Sequence, residues 1–306
     1  MKIETVALLG VGAVGAYFVE GLQGKLGAKF CVVAEGERAA RLKKSGILIN
    51  GKRVELNVKA PEEAAGVDLF LIAVKYGALA EAGEVARRLV RGNTTVMSLL
   101  NGVDSETLLA EKIGEEHIVP ALMKVAIQRV GNEIAFKPEN CAGIFFGEAD
   151  GKISERIKAI AELFSGTGVR YKVSENIGRD IWAKFALNVS RNLPQAILNC
   201  GMGAYEASEH VKVLERRLRA EVVAVAAAKG IDIADSETAA GKSSKLPASA
   251  RFSTLQDLDA KRETEIEMFS GALIKMAKEL GVQVPFNEFA YHAIKALEEK
   301  NRGVFS

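Results

Sequence analysis

Cysteine and histidine are scarce in this chain, with three of each among 306 residues. Cys31, Cys141 and Cys200 stand far apart and form no CxxC pair, which argues against a thiolate metal centre and against a disulfide framework. A reducing compartment, the cytoplasm, is the expected setting. An excess of one charge is also missing, since 41 Lys and Arg face 39 Asp and Glu, so nothing draws the chain toward nucleic acid. No stretch reaches the roughly twenty apolar residues that span a bilayer. Internal repeats and low-complexity tracts are absent. The opening run "VALLGVGAVGAYFVEG", Val6 to Gly21, imitates a secretion signal behind Lys2. Glu4 in the would-be basic region and a glycine every two or three positions argue against that reading.

What the chain has is apolar bulk, 48% of its residues, enough for a large core and for two domains. The first half alternates short β-type runs, "TVALLG", "KFCVVAE", "DLFLIAV", "TTVMSLL" and "HIVPALMKVAIQ", with amphipathic helical segments such as "EAGEVARRLV". Strands apolar on both faces, alternating with helices, imply a parallel sheet covered on both sides. "GILINGKRVELNV" predicts a tight hairpin around Asn50 and Gly51, and "GNEIAFKPENCAGIFFGE" predicts a second two-stranded excursion. After about Gly168 the periods become long and helical. The predicted organisation is an α/β dinucleotide-binding domain over residues 1–169, followed by an all-α domain over 170–306, with the boundary near "FSGTGVRYKVSEN".

Gly10, Gly12 and Gly15 follow the strand "TVALL" directly and open the helix "AVGAYFVEGL". In that context a G-x-G-x-x-G allows a tight turn, a close pyrophosphate and close helix packing, with Gly10, Val11, Gly12, Ala13, Val14 and Gly15 as the cradle. The helix N-terminus adds free N–H groups and partial positive charge. A purely structural strand–turn–helix fits the same glycines. Twenty residues on, Glu35 ends the second strand, where a carboxylate accepts bonds from the adenine-ribose hydroxyls and repels the extra phosphate of NADP. Arg38 pulls the other way. NAD(H) is the slightly preferred cofactor, and solvated charges at a helix start are the plainer alternative.

A carbonyl that accepts hydride needs a proton donor and groups that hold it. His117, His210 and His292 sit in contexts that suit structural or exposed roles. In "RDIWAKFALNVSRNLP", Lys184, Asn188 and Asn192 fall at i, i+4 and i+8 on one helical stripe, beside the apolar stripe of Ile181, Phe185 and Val189. Desolvation at such a boundary lowers a lysine's pKa and suits it to proton donation; an ordinary snorkelling lysine has the same spacing. Glu265 adjoins an apolar face in "ETEIEMFSGALI", and its spacing does not separate a functional carboxylate from a solvated one. Asn101 follows a strand in "SLLNGV", at the end of a parallel strand where ligands bind, and Asn-Gly is equally a turn signal.

In order along the chain, "GVGAVG", "VKYGAL", "SLLNGV", "IWAKFALNVSRN", "FSTLQDL" and "TEIEMFSG" resemble the ketopantoate reductase family, over nearly the whole length. The resemblance implies a Rossmann domain followed by a helical domain, and reduction of a 2-oxo acid by NAD(P)H to a D-2-hydroxy acid, with ketopantoate the first candidate. It implies that Lys184 donates the proton to the carbonyl oxygen and that Glu265 contacts the substrate hydroxyl and the cofactor side. It further implies cofactor contacts from Lys75, Asn101 and the backbone near Ile127, and substrate contacts from Asn101, Lys184, Asn188, Asn192 and Ser253. Three positions depart from the family pattern. Glu35 replaces the usual arginine for the NADPH phosphate, "NLP" moves the expected proline to Pro194 so that the helix is expected to end differently around Asn192, and Met202 replaces a substrate-side asparagine. A dehydrogenase for bulkier, mandelate-like D-2-hydroxy acids using NAD therefore stays open, as does a dinucleotide-binding sensor without turnover. The apolar stretch "EVVAVAAAKG" is compatible with a homodimer.

Overall fold

The computed structural model describes residues 2–130, 133–236 and 247–306, and the chain divides into two compact units, Met1–Gly178 and Arg179–Ser306. The first begins with β1 (Val6–Leu9), α1 (Ala13–Leu26), β2 (Phe30–Val33) and α2 (Gly36–Ser45). There follow a hairpin of β3 (Ile47–Ile49) and β4 (Lys52–Val54), then β5 (Val58–Lys59), β6 (Leu69–Ile72), α3 (Leu79–Leu89), β7 (Thr95–Ser98) and α4 (Ser105–Ile113). Five of these strands form a parallel sheet in the order β5-β2-β1-β6-β7. Every residue of β2, β6 and β7 is buried, as strands covered on both faces require. The chain winds outward from β1 through β2 to β5, then returns to β6 on the other side of β1. That reversal puts a switch point at the carboxyl end of β1, the place where such sheets bind ligands.

The expected hairpin forms, with Asn50 and Gly51 both at positive φ (49° and 76°), the geometry of a two-residue turn that suits strand twist. Two other expectations need correction. "HIVPALMKVAIQ" does not extend the parallel sheet. Ile118 makes a single parallel bridge to Val96, and Pro120, which has no N–H to give to a ladder, ends it. The chain then supplies β8 (Ala121–Lys124) and the start of β9 (Ile127–Val130).

"GNEIAFKPENCAGIFFGE" is not a paired excursion, and its first two residues, Gly131 and Asn132, lie outside the described residues. β10 (Glu133–Phe136) pairs with β9 and β3, whereas β11 (Gly143–Phe146) pairs with β8 and with β12 (Tyr171–Val173), which follows α5 (Glu155–Phe164). A turn opened by Pro138 separates the two strands. Gly143, at φ 93°, presses so closely on the Arg170 carbonyl that a Cβ would lie 1.8 Å from its oxygen. The first unit therefore includes Tyr171–Val173 and reaches Gly178.

All the regular structure among the described residues of the second unit is helical. It contains most of α6 (Ile177–Leu198), then α7 (Ala204–Ala207), α8 (Glu209–Ala228), α9 (Ser253–Asp259), α10 (Ala272–Leu280) and α11 (Pro285–Asn301). α6 does not end at Asn192 but runs through Pro194. An interior proline costs a helix about 3 kcal/mol, and here its neighbours Leu193, Gln195 and Ala196 are all essentially buried, which offsets the lost bond. The buried pair of Arg191 Nε with Glu215 Oε1, 2.8 Å, ties α6 to α8. Glu221 of α8 accepts the N–H groups of Phe286 and Asn287, capping the otherwise orphaned start of α11. The layout is a parallel α/β domain followed by an all-α domain. Among the described residues no helix is long and apolar enough to cross a membrane.

Candidate active site

The three loop glycines meet three separate requirements. Gly10 has φ 95°, and a Cβ there would lie 2.5 Å from the Ala73 carbonyl oxygen at the end of β6. A Cβ on Gly15 would stand 2.0 Å from the Gly10 oxygen, so α1 packs against the turn through bare backbone. Gly12 is different: its ordinary φ of −82° tolerates any residue, and nothing described lies within 4 Å of the Cβ it lacks. It is also the cap residue of α1, where no side chain bonds the first N–H groups and no acid occupies the first turn. An uncapped, positively polarised helix end facing open space is suited to a pyrophosphate.

Val11 and Gly12 line a cavity of about 770 Å³ whose wall includes Arg38 and Arg41 of α2, Arg53 of β4 and Lys75 after β6. Among the described residues its lining includes no carboxylate. Ala13 and Val14 are half-buried in the first turn of α1. The residues present therefore fit a dinucleotide. Glu35 stands where β2 ends and α2 begins, and it does not line the cavity. Both its oxygens accept from Arg88 of α3, at 2.8 Å each, and Arg88 also donates to both oxygens of Glu62. The two carboxylates raise the Arg88 pKa, hydrogen bonding being the main cause.

Asn101 is half-buried in the loop after β7, and Ile127, the first residue of β9, packs on the core of the first unit. Close to Asn101 in the chain, Asp104 accepts from Tyr76 at 2.5 Å and Ser105 donates to Glu106 at 2.8 Å, with the Ser98 hydroxyl 2.7 Å from that of Ser105. Burial pushes the Glu106 carboxyl up from 4.5 to about 7, against the opposing pull of the Ser105 hydroxyl. The folded state therefore holds this proton more tightly than the unfolded chain does. The stability it contributes is complete below pH 4.5 and is lost as pH rises through about 7. Glu106→Gln should leave melting unchanged at low pH and stabilise the protein by on the order of 1–2 kcal/mol above about pH 8. Parallel thermal melts across pH check this; a gap of the opposite sign would contradict it.

In the second unit, α6 carries Lys184 and Asn188, both half-buried, and Asn192, 7% exposed, in one stripe beside the buried Phe185 and Val189. Two ties join that helix to the remaining candidates. The Gln195 side chain donates to the Ala250 carbonyl at 3.1 Å and accepts the Phe252 N–H at 2.5 Å, which anchors the residue before Ser253, itself exposed at the start of α9. The rings of Phe185 and Phe269 meet at 6.2 Å, joining Lys184's helix to the segment that begins at the half-buried Glu265. Met202, 7% exposed, packs with Tyr205, Val211 and Phe252 next to Ser253.

The histidines take no part in these groupings. His117 Nδ1 is 2.8 Å from the Thr94 carbonyl oxygen, and His210 and His292 are exposed on helices. No group of metal-ligating side chains exists among the described residues. Arg41, Arg53, Arg88 and Glu62 escape a reading by motif. Of these only Arg41 has a local signal, the basic run "RAARLKK" after Glu35.

Residues 6–150 match the family described as ketopantoate reductase PanE/ApbA, and residues 176–298 match that described as its C-terminal domain. The chain is 27% identical over 300 residues to the 2-dehydropantoate 2-reductase of Archaeoglobus fulgidus, a likeness covering 97% of this chain and 99% of the relative. A PanE/ApbA family ketopantoate reductase from Ralstonia eutropha has a similar structure, with TM-score 0.81, 25% identity and coverage of 97% and 99%. D-mandelate dehydrogenase, solved with NADH and anilino(oxo)acetate, shares the fold at TM-score 0.83 and 22% identity over the same shares of the two chains. Matched in order through both of its units, the chain belongs to the ketopantoate reductase family of NAD(P)H-dependent oxidoreductases acting on a CH–OH group.

Proposed function

We propose that the protein reduces a 2-oxo acid to the D-2-hydroxy acid, with 2-dehydropantoate as substrate. The observation that carries this reading is the α6 stripe of one cation and two amides, tied through Gln195 to Ser253 and through Phe185 to the Glu265 segment. A nicotinamide held there would supply the hydride that the carbonyl carbon accepts. As the C=O bond opens, its electron pair goes to oxygen, and Lys184 Nζ gives that oxygen a proton. Asn188, Asn192 and Ser253 hold the acid, Ser253 on the carboxylate, and Glu265 accepts from the substrate hydroxyl. Lys75, Asn101 and the Ile127 backbone contact the cofactor. A panel of 2-oxo acids offered with NADH and with NADPH tests the reading, and oxidation of neither cofactor with any acid would favour a binding protein without turnover.

For the cofactor we infer a preference for NADH. Glu35, Glu62 and Arg88 together carry one net negative charge at the end of β2, and each Glu35 oxygen keeps a second lone pair for a ribose hydroxyl. Losing a hydrogen bond to a charged group costs about 1.5–3 kcal/mol, so Glu35→Ala should raise the KM for NADH about tenfold or more and narrow the gap to NADPH. Equal use of both cofactors by the wild type would contradict this, and strict NADPH use would point to Arg38 and Arg41 as phosphate ligands. A second reading, a dehydrogenase for bulkier 2-hydroxy acids, draws on the apolar cluster of Met202 and Phe252 beside Ser253; faster turnover of an aryl 2-oxo acid than of 2-dehydropantoate would favour it.

A further inference from the structure

Glu265 sits in a segment with little regular structure to hold it. Residues 262–264 form no helix, and a π-helical turn, Glu267–Gly271, begins two residues later. What fixes this stretch comes from the last turns of α11. Glu298, only 4% exposed, accepts two hydrogen bonds at Oε1, from the Thr264 backbone N–H at 2.8 Å and from the Thr264 hydroxyl at 2.7 Å. The Thr264 oxygen in turn accepts the Ile266 N–H at 3.2 Å. The residues on both sides of Glu265 are thus bound, directly and through one hydroxyl, to a single buried carboxylate.

That carboxylate is itself held. Lys295, one turn earlier on α11, lies 3.1 Å from Glu298 Oε2 and 3.3 Å from Glu267 Oε1, and Tyr291 donates to Glu267 at 2.9 Å. A buried carboxylate with a fixed cation and two donors to one oxygen makes a rigid anchor, and removing it leaves several groups unsatisfied at once. π-turns are uncommon and recur at functional positions. Here the turn directly follows Glu265, and it starts from Ile266, which is fully buried.

We propose that Glu298 is a positioning residue for Glu265, acting through Thr264 to set the direction from which the Glu265 carboxylate meets the substrate hydroxyl. The proposal rests on the reading of Glu265 as a substrate contact, and the test separates the two. Thr264→Val removes the hydroxyl at nearly constant shape and keeps the backbone bond. Glu298→Gln keeps an oxygen that accepts both bonds, and Glu298→Ala removes the anchor.

With 2-dehydropantoate and NADH, Thr264→Val and Glu298→Ala should lower kcat/KM for the acid about tenfold while the Kd for NADH stays within about twofold, and Glu298→Gln should restore most of the loss. In the Glu265→Ala background Thr264→Val should add no further loss, the mark of two groups acting as one. Amide exchange at Thr264 and Ile266 in the cofactor-free protein should quicken in Glu298→Ala and stay slow in Glu298→Gln, which follows the anchor without relying on turnover. If Glu265→Ala lowers kcat/KM but Thr264→Val adds its full loss on top, the positioning role is wrong and the reading of Glu265 survives. If Glu265→Ala leaves kcat/KM unchanged, that reading falls and takes the proposal with it.

Discussion

Replacing Lys184 by alanine should lower kcat for 2-oxo acid reduction at least about a hundredfold while the protein folds normally and binds cofactor. The size follows from the ordinary worth of a placed general acid, about 10²–10⁴ in rate. The side chain is half-buried on α6, so its removal opens no sealed core, and the fully buried neighbours Phe185, Ala186 and Val189 keep the helix packed. A loss confined to kcat/KM through a raised KM would instead mark Lys184 as a binding group. Steady-state rates with saturating acid, beside a thermal melt, separate these outcomes. Turnover near that of the wild type would remove Lys184 from the chemistry.

The second large effect belongs to Gly12. A valine there meets no described atom within 4 Å of its Cβ and has an allowed φ of −82°, so the fold should tolerate it with a change in Tm of a few degrees at most. The same side chain would fill the space in front of the α1 N-terminus and bar a phosphate from the free N–H groups. NADH affinity should fall by about two orders of magnitude, since each charge-assisted bond lost is worth roughly 1.5–3 kcal/mol. Gly15→Ala is the contrasting control, because its Cβ would stand 2.0 Å from the Gly10 oxygen. That variant should lose stability as well as cofactor. Titration of NADH fluorescence on Gly12→Val, beside its melting curve, gives the answer; unimpaired binding would mean that the loop is only a turn.

The local structure at Gly12 and at Lys184 was legible in the sequence for one reason: the physics that makes it is local. A strand, a glycine turn and a helix start lie within ten residues, and Lys184, Asn188 and Asn192 share a face through helical periodicity alone. The hairpin at Asn50 and Gly51 is legible likewise. What stayed hidden depends on distant partners. Nothing around Gly143 announces that the Arg170 carbonyl will press against it, or that β11 will pair with β12 and β8 and not with β10. Glu35 reads as a free ribose ligand until Arg88, 53 residues later, closes on it. Glu298 stands 34 residues from Thr264 on another helix. Pro194 shows the limit of a local rule: the shifted proline announces a change in how the helix ends, but not that α6 runs on through it to Leu198 with its neighbours buried.

The proposed reaction is hydride transfer to a 2-oxo acid. The most direct measurement is the oxidation of NADH by the purified wild-type protein in the presence of 2-dehydropantoate, followed by absorbance, with chiral analysis of the product. The expected result is stoichiometric conversion of NADH and acid into NAD and the D-2-hydroxy acid, faster than with NADPH. Tight NADH binding without oxidation, for 2-dehydropantoate and for every other 2-oxo acid offered, would contradict it.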